Sequence, residues 1–217
     1  MDGRVPLRPV IYLGPSLSHA EARAYLDADY RPPVKRGDLG QLPEGTTVVG
    51  IIDGVLLSDA AVGHREILNL LRRGIRVFGS GSMGALRAAE LSTLGMEGIG
   101  RIYEEYASGR IEGDDEVVLM YDPFTLVALS EPLINLRLNI EEAMREKIIN
   151  SSEGDELIAR LKDAYYPERS KEMLLTISSE ILDNSSFRRF KEFLMERGCD
   201  YKKNDAISLL KAVKRIQ

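Results

Sequence analysis

The sequence predicts an α/β protein: a parallel-sheet N-terminal part with crossover helices, followed by an all-helical C-terminal part. Three observations carry this reading. Short apolar, β-branched runs recur as VIYL (10–13), TVVGII (47–52) and IRVF (75–78), each ended by Gly or Asp, the signature of buried strands. Helical patterns lie between them, and strands alternating with helices imply parallel pairing through right-handed crossovers. From about Glu131 onward no further strand pattern occurs, only amphipathic helical stretches.

The first helix follows Ser18, with Glu21 three residues later in a capping-box spacing before EARAYL. A second is expected from about Asp59 to Arg73, with Arg72 and Arg73 in its last turn and Gly74 at the left-handed cap position. The third, GALRAAELSTLG, follows the third strand run directly. In the second half LNIEEAMREKII, DELIARLKDAYY, SKEMLLTISSEIL, SFRRFKEFLMER and AISLLKAVKRI read as helices, separated near Ser151, Pro167, Asn184 and Gly198. The expected division is an α/β domain over 1–130 carrying the active site and a helical part over 131–217 packed on it.

Composition excludes several classes. With 217 residues, 44% of them apolar, 29% charged and a net charge of −5, the chain is neither collagen-like nor disordered. One cysteine, Cys199, and two histidines, His19 and His64, allow no internal disulfide or Cys-rich zinc site, and no metal is assigned. Residues 1–136 hold 13 basic and 19 acidic side chains, which speaks against nucleic-acid binding. The opening MDGRVPLRPVIYLG has no apolar signal core. The most apolar stretches are interrupted by Asp53 and by Asp122, Pro123, Glu131 and Pro132, so a cytoplasmic, non-membrane protein is expected.

In a parallel sheet the functional crevice lies at the carboxyl ends of the strands, which here carry Gly14-Pro15-Ser16, Asp53-Gly54 and Gly79-Ser80-Gly81-Ser82-Met83-Gly84. The last segment has three readings. Gly79, Gly81 and Gly84 match the G-x-G-x-x-G fingerprint of NAD(P)-binding proteins, although on the third strand and without the acidic partner on the next. Ser80-Gly81-Ser82-Met83-Gly84 also approximates a nucleophile turn, with Ser where the first Gly of G-x-S-x-G belongs. A Gly-rich turn that only permits close packing is the third.

A serine nucleophile needs a base. His64 sits in a helical pattern and reads as structural. Among residues 1–136 there are twelve arginines and one lysine, Lys35, in YRPPVKRGDLG. Arginine cannot act as a base, whereas a neutral lysine can, so the lone lysine is the candidate; a solvated loop lysine is the plain alternative. Asp53 is placed to orient an amine or to cap its turn. Arg87 and Glu90 are spaced to pair on one helix, or Arg87 to face an anionic substrate. Asp114, Asp115 and Glu116 read as a solvated turn rather than a Mg²⁺ site.

The segments YLGPSL (12–17), YRPPVKRGDL (30–39), VVGIIDGVL (48–56), HREIL (64–68), GSGSMGALRAAEL (79–91), GMEGIGRIYEEYASGRI (95–111) and DDEVVLMY (114–121) together resemble the TfuA-like family, partners of YcaO-type enzymes that install backbone thioamides. The resemblance implies a Ser-Lys hydrolase acting on the thiocarboxylated C-terminus of a ubiquitin-like sulfur carrier of the ThiS type. It also implies contact with YcaO and, through it, with a peptide or protein substrate. Its serine falls on Ser82 and its lysine on Lys35, with no cofactor. Amides at Gly81, Met83 and Gly84 are then the expected oxyanion donors, with Arg87 and Asp53 as substrate-binding candidates. A non-catalytic adaptor and an NAD(P)-binding enzyme stand as alternatives.

Overall fold

The computed structural model describes residues 8–56 and 60–217. It divides into two compact units. The first comprises the chain up to Asp114, Phe124–Val127 and Lys202–Gln217; the second comprises Asp115–Pro123 and Ala128–Tyr201.

The first unit holds five parallel strands, β1 (Val10–Tyr12), β2 (Asp29–Arg31), β3 (Val48–Ile51), β4 (Arg76–Ser80) and β5 (Glu97–Ile99), in the order β2-β1-β3-β4-β5. The α/β class read from the sequence is the observed one, with two strands more than the three apolar runs. Both additions are edge strands. An edge strand need not be an apolar run: β2 (DYR) buries Tyr30 in the core between two polar residues, and β5 (EGI) is tied to β4 by an ion pair. Arg31 pairs with Asp29 at 3.0 Å, and Arg76 on β4 grips Glu97 on β5 with two bonds of 2.9 Å.

Period-2 alternation divides the central strands between two faces. Val10, Tyr12, Val49, Ile51 and Val77 meet α2 (His64–Arg72) and α3 (Met83–Leu91) through Ile67, Leu70, Met83, Ala88 and Leu91. Ile11, Leu13 and Phe78 meet α1 (His19–Ala22) through Ala22, and α9 (Tyr201–Lys214) through Ala206, Leu209, Leu210 and Val213. The order reverses at β1, so right-handed crossovers send α1 to one face and α2 and α3 to the other. The last helix from Lys202 onward thus belongs to the sheet unit; the sequence places it in the helical part over 131–217 packed on the α/β domain.

The caps follow the chemistry of the sequence. Ser18 Oγ accepts from the Glu21 amide, and Gly74 ends α2 at φ +77°. Helix α2 starts at His64, later than expected; the predicted start at Asp59 lies outside the described residues. Helix α4 (Arg101–Ala107) follows β5.

In the second unit α5 (Leu133–Arg145), α6 (Ser151–Asp163), α7 (Lys171–Ile181) and α8 (Asn184–Arg197) enclose a core that includes Leu136, Ile140, Leu157, Leu161, Leu174 and Phe190. Asn150 and Glu153 form the capping box of α6, so Ser151 opens a helix rather than breaking one. Arg137 binds Glu116 through two hydrogen bonds, at 3.0 and 2.5 Å. Glu116 therefore belongs to a structural pair. Among the described residues no metal-binding cluster is found, and no helix is long and apolar enough to cross a membrane.

Candidate active site

The carboxyl end of β4 turns into α3 within two residues. Gly81 makes the turn at φ +68°, a conformation that favours glycine, and Ser82 is the N-cap of α3. The flanking glycines permit backbone contact. A Cβ on Gly84 would lie 1.7 Å from Ile51 O, and one on Gly79 would lie 2.1 Å from Gly84 O. Two glycines of the G-x-G-x-x-G match are thus explained by packing of α3 against β3 and β4.

The two serines of this turn differ. Ser80 is fully buried, and its Oγ donates to Asp205 O at 2.9 Å. Ser82 is 3% exposed, and among the described residues no hydrogen bond engages its hydroxyl. Of the helix-start amides, Gly84 N–H donates to Ile52 O at 3.3 Å, whereas Met83 N–H has no acceptor among the described residues. Only the Met83 amide of this pair is open to an incoming oxyanion.

Lys35 reaches the same edge of the sheet on the chain leaving β2. Pro33 packs where Gly14 lacks a side chain, with Cγ 2.5 Å from that Cβ position. Val34 forms a parallel bridge with Gly54; its amide donates to Asp53 O and its carbonyl accepts from Val55 N–H, both at 2.9 Å. Gly54 in turn faces Met83, whose Cγ is 2.7 Å from the Gly54 Cβ position. The segments bearing Lys35 and Ser82 therefore both pack against Gly54, through Val34 and Met83. Lys35 is exposed, its amide donates to Asp38 Oδ2 at 3.0 Å, and no ion pair of its amine is found among the described residues.

A cleft of about 410 Å³ opens beside these segments, lined by Arg36, Leu56, Val62, His64, Met83, Leu86, Arg87 and Glu90 among others. The immediate neighbours of Lys35 and Ser82, Arg36 and Met83, are in its wall. Arg87 donates to Val62 O at 3.1 Å and pairs with Glu90 at 2.6 Å, and His64 Nε2 stands 2.7 Å from the same carboxylate. The Arg87–Glu90 spacing thus forms the structural pair, and His64 opens α2 rather than lying mid-helix.

Asp53 is 2% exposed and faces inward. Its carboxylate accepts from Gly14 N–H at 2.8 Å, Ser16 N–H at 3.0 Å and Ser16 Oγ at 2.6 Å, and Lys202 Nζ stands 3.9 Å away. Sequence reasoning placed Ser16 at the crevice but not against Asp53, and it missed Lys202 and Asp205, because the contacts joining them to the strand ends span tens to more than a hundred residues. The Asp205 carboxylate accepts from Arg101 N–H at 2.9 Å and Ile102 N–H at 2.8 Å, capping α4. Burial outweighs these two bonds and pushes its pKa up to about 6.

The fold is a doubly wound parallel α/β sheet, and at its carboxyl edge a turn of small residues leads from β4 into α3 with Ser82 at the helix N-terminus. The family model of the TfuA-like proteins matches residues 53–170, more than half of the chain, and the protein belongs to that family. The match includes Ser82 and Arg87; Lys35 lies before it. No curated protein matches the chain.

Proposed function

We propose that this TfuA-like protein is an accessory hydrolase of thioamide formation, acting on the thiocarboxylated C-terminus of a ThiS-type carrier and passing sulfide to a YcaO-type enzyme. The observation that carries the reading is Ser82 at the N-terminus of α3, whose hydroxyl has no hydrogen-bond partner among the described residues, two residues from a serine tied into the fold.

In this reading Lys35 is the base that takes the Ser82 proton, and Oγ attacks the thiocarboxylate carbon. The Met83 amide and the α3 dipole stabilise the oxyanion, a contribution of roughly 3 to 4 kcal/mol per good donor in comparable sites. As the C–S bond breaks, the Lys35 ammonium returns the proton to sulfur, which leaves as hydrosulfide. Water, deprotonated by the same amine, then cleaves the acyl-serine to give carrier carboxylate and free Ser82. The cleft beside Met83 is the proposed seat of the carrier tail, with Arg36 in its wall as the candidate for its negative charge and Arg87 held in the structural pair with Glu90. Rapid acid quenching after mixing with thiocarboxylated carrier should trap a covalent carrier adduct on Ser82 by intact mass; a carrier converted without any adduct, even at the shortest times, contradicts the nucleophile.

A second reading, a non-catalytic adaptor that recruits YcaO and its substrate, draws on exposed apolar side chains such as Phe124, 95% exposed. The dinucleotide reading has less support. The amides of Gly14 and Ser16 that follow β1, where dinucleotide phosphates are held, already meet the Asp53 carboxylate.

A further inference from the structure

In a sheet of order β2-β1-β3-β4-β5 the ligand crevice lies where the order reverses, between the carboxyl ends of β1 and β3. Here the chain fills that place itself. The Asp53 carboxylate occupies the loop after β1, and the ammonium of Lys202, from the first turn of α9, stands beside it with both side chains 3% exposed. A buried carboxylate and a buried ammonium each carry a large desolvation cost, which their mutual attraction and hydrogen bonds must offset.

The pair also borders the Ser82 turn. The Cβ position of Gly81 is 3.4 Å from Lys202 O and 3.9 Å from Ser16 Oγ, the hydroxyl that donates to Asp53. Gly81 is therefore walled by the residue that supplies the ammonium and by the loop that the carboxylate holds. One turn further along α9, Asp205 O receives the hydroxyl of Ser80. Ser80 and Gly81, which lead into the turn, both rest on α9.

We propose that Lys202 is a positioning residue for Ser82, acting through Asp53, so that the C-terminal helix is a working part of the active site as well as a cover for the sheet. Lys202 pairs with Asp53, Asp53 holds Gly14 and Ser16, and these together with the Lys202 main chain fix the direction in which Gly81 hands the chain to Ser82. The inference rests on the reading of Ser82 as nucleophile.

The test uses the full-length chain, with two readouts. The rate of Ser82 modification by a fluorophosphonate, located by peptide mass, reports nucleophile competence without any carrier. Amide hydrogen exchange at Gly14 and Ser16 reports the loop. Lys202→Met and Asp53→Asn should each slow labelling about tenfold or more, the double variant should be no slower than either single, and Lys202→Arg should recover most of the rate. Exchange at Gly14 and Ser16 should quicken about tenfold in Lys202→Met. Lys202→Met leaves a buried carboxylate, so the uncharged double variant serves if that single fails to fold, and its deficit should persist. Labelling at the wild-type rate in a folded variant lacking the amine, or unchanged protection at Gly14 and Ser16, overturns the proposal. A wild type that resists the probe refutes the nucleophile reading instead, and the exchange data then decide the Lys202–Asp53 link alone.

Discussion

Ser80 and Asp205, 125 positions apart, are joined by a 2.9 Å hydrogen bond from the serine hydroxyl to the aspartate main-chain carbonyl. That bond ties Ser80 into the fold, and the proposed nucleophile is therefore Ser82. Ser80→Ala removes the donor from a buried carbonyl and should cost about 1 to 2 kcal/mol in a denaturant titration. The folded variant should keep its activity.

Gly84 should be nearly intolerant of substitution. A methyl group there meets Ile51 O at 1.7 Å, against backbone that cannot swing aside. Gly84→Ala should destabilise by more than about 3 kcal/mol or yield insoluble protein. Gly40, which has nothing within 4 Å of its Cβ position, is the control, and Gly40→Ala should melt within a few degrees of wild type.

Asp205 predicts a sign for the pH dependence. Its pKa is pushed up by burial from 3.8 to about 6, so between these values the folded chain binds a proton that the unfolded chain has released. This group therefore stabilises the fold below about pH 4, loses that contribution as pH rises through about 6, and adds nothing to stability above it. Carboxyl carbon NMR should show an Asp205 midpoint near 6; a midpoint at or below 3.8 contradicts the argument.

Arg169 anchors the helical unit. It is 3% exposed and donates to Leu161 O, Lys162 O and Asp115 O at 3.0, 3.1 and 3.0 Å, satisfying carbonyls in the last turn of α6. Burial depresses its pKa. Arg169→Ala leaves three carbonyls without this partner and should cost about 2 to 4 kcal/mol by thermal unfolding, with Arg169→Lys recovering only part.

What the sequence made legible follows from how local each signal is. VIYL, TVVGII and IRVF announced central strands because both faces of those strands are buried; DYR and EGI did not, being three-residue edge strands in which Asp29, Arg31 and Glu97 break the apolar run. The Gly81–Ser82 turn was visible because strand, small residues and helix follow one another directly. Choosing Ser82 over Ser80 by geometry required Asp205, and the inward role of Asp53 required Ser16 and Lys202, none of them near in sequence. Helix α9 was legible as a helix, but its amphipathic pattern does not say which apolar surface it covers.

The most direct test of the central claim is sulfide release from a thiocarboxylated ThiS-type carrier, followed by intact mass of the carrier, for wild type, Ser82→Ala, Ser80→Ala and Lys35→Arg. The account predicts that wild type and Ser80→Ala convert thiocarboxylate to carboxylate, while Ser82→Ala and Lys35→Arg lose at least about 10³-fold in rate. A wild type that is inert on the carrier yet still stimulates a YcaO-type enzyme, or a Ser82→Ala variant that releases sulfide at the wild-type rate, would contradict it.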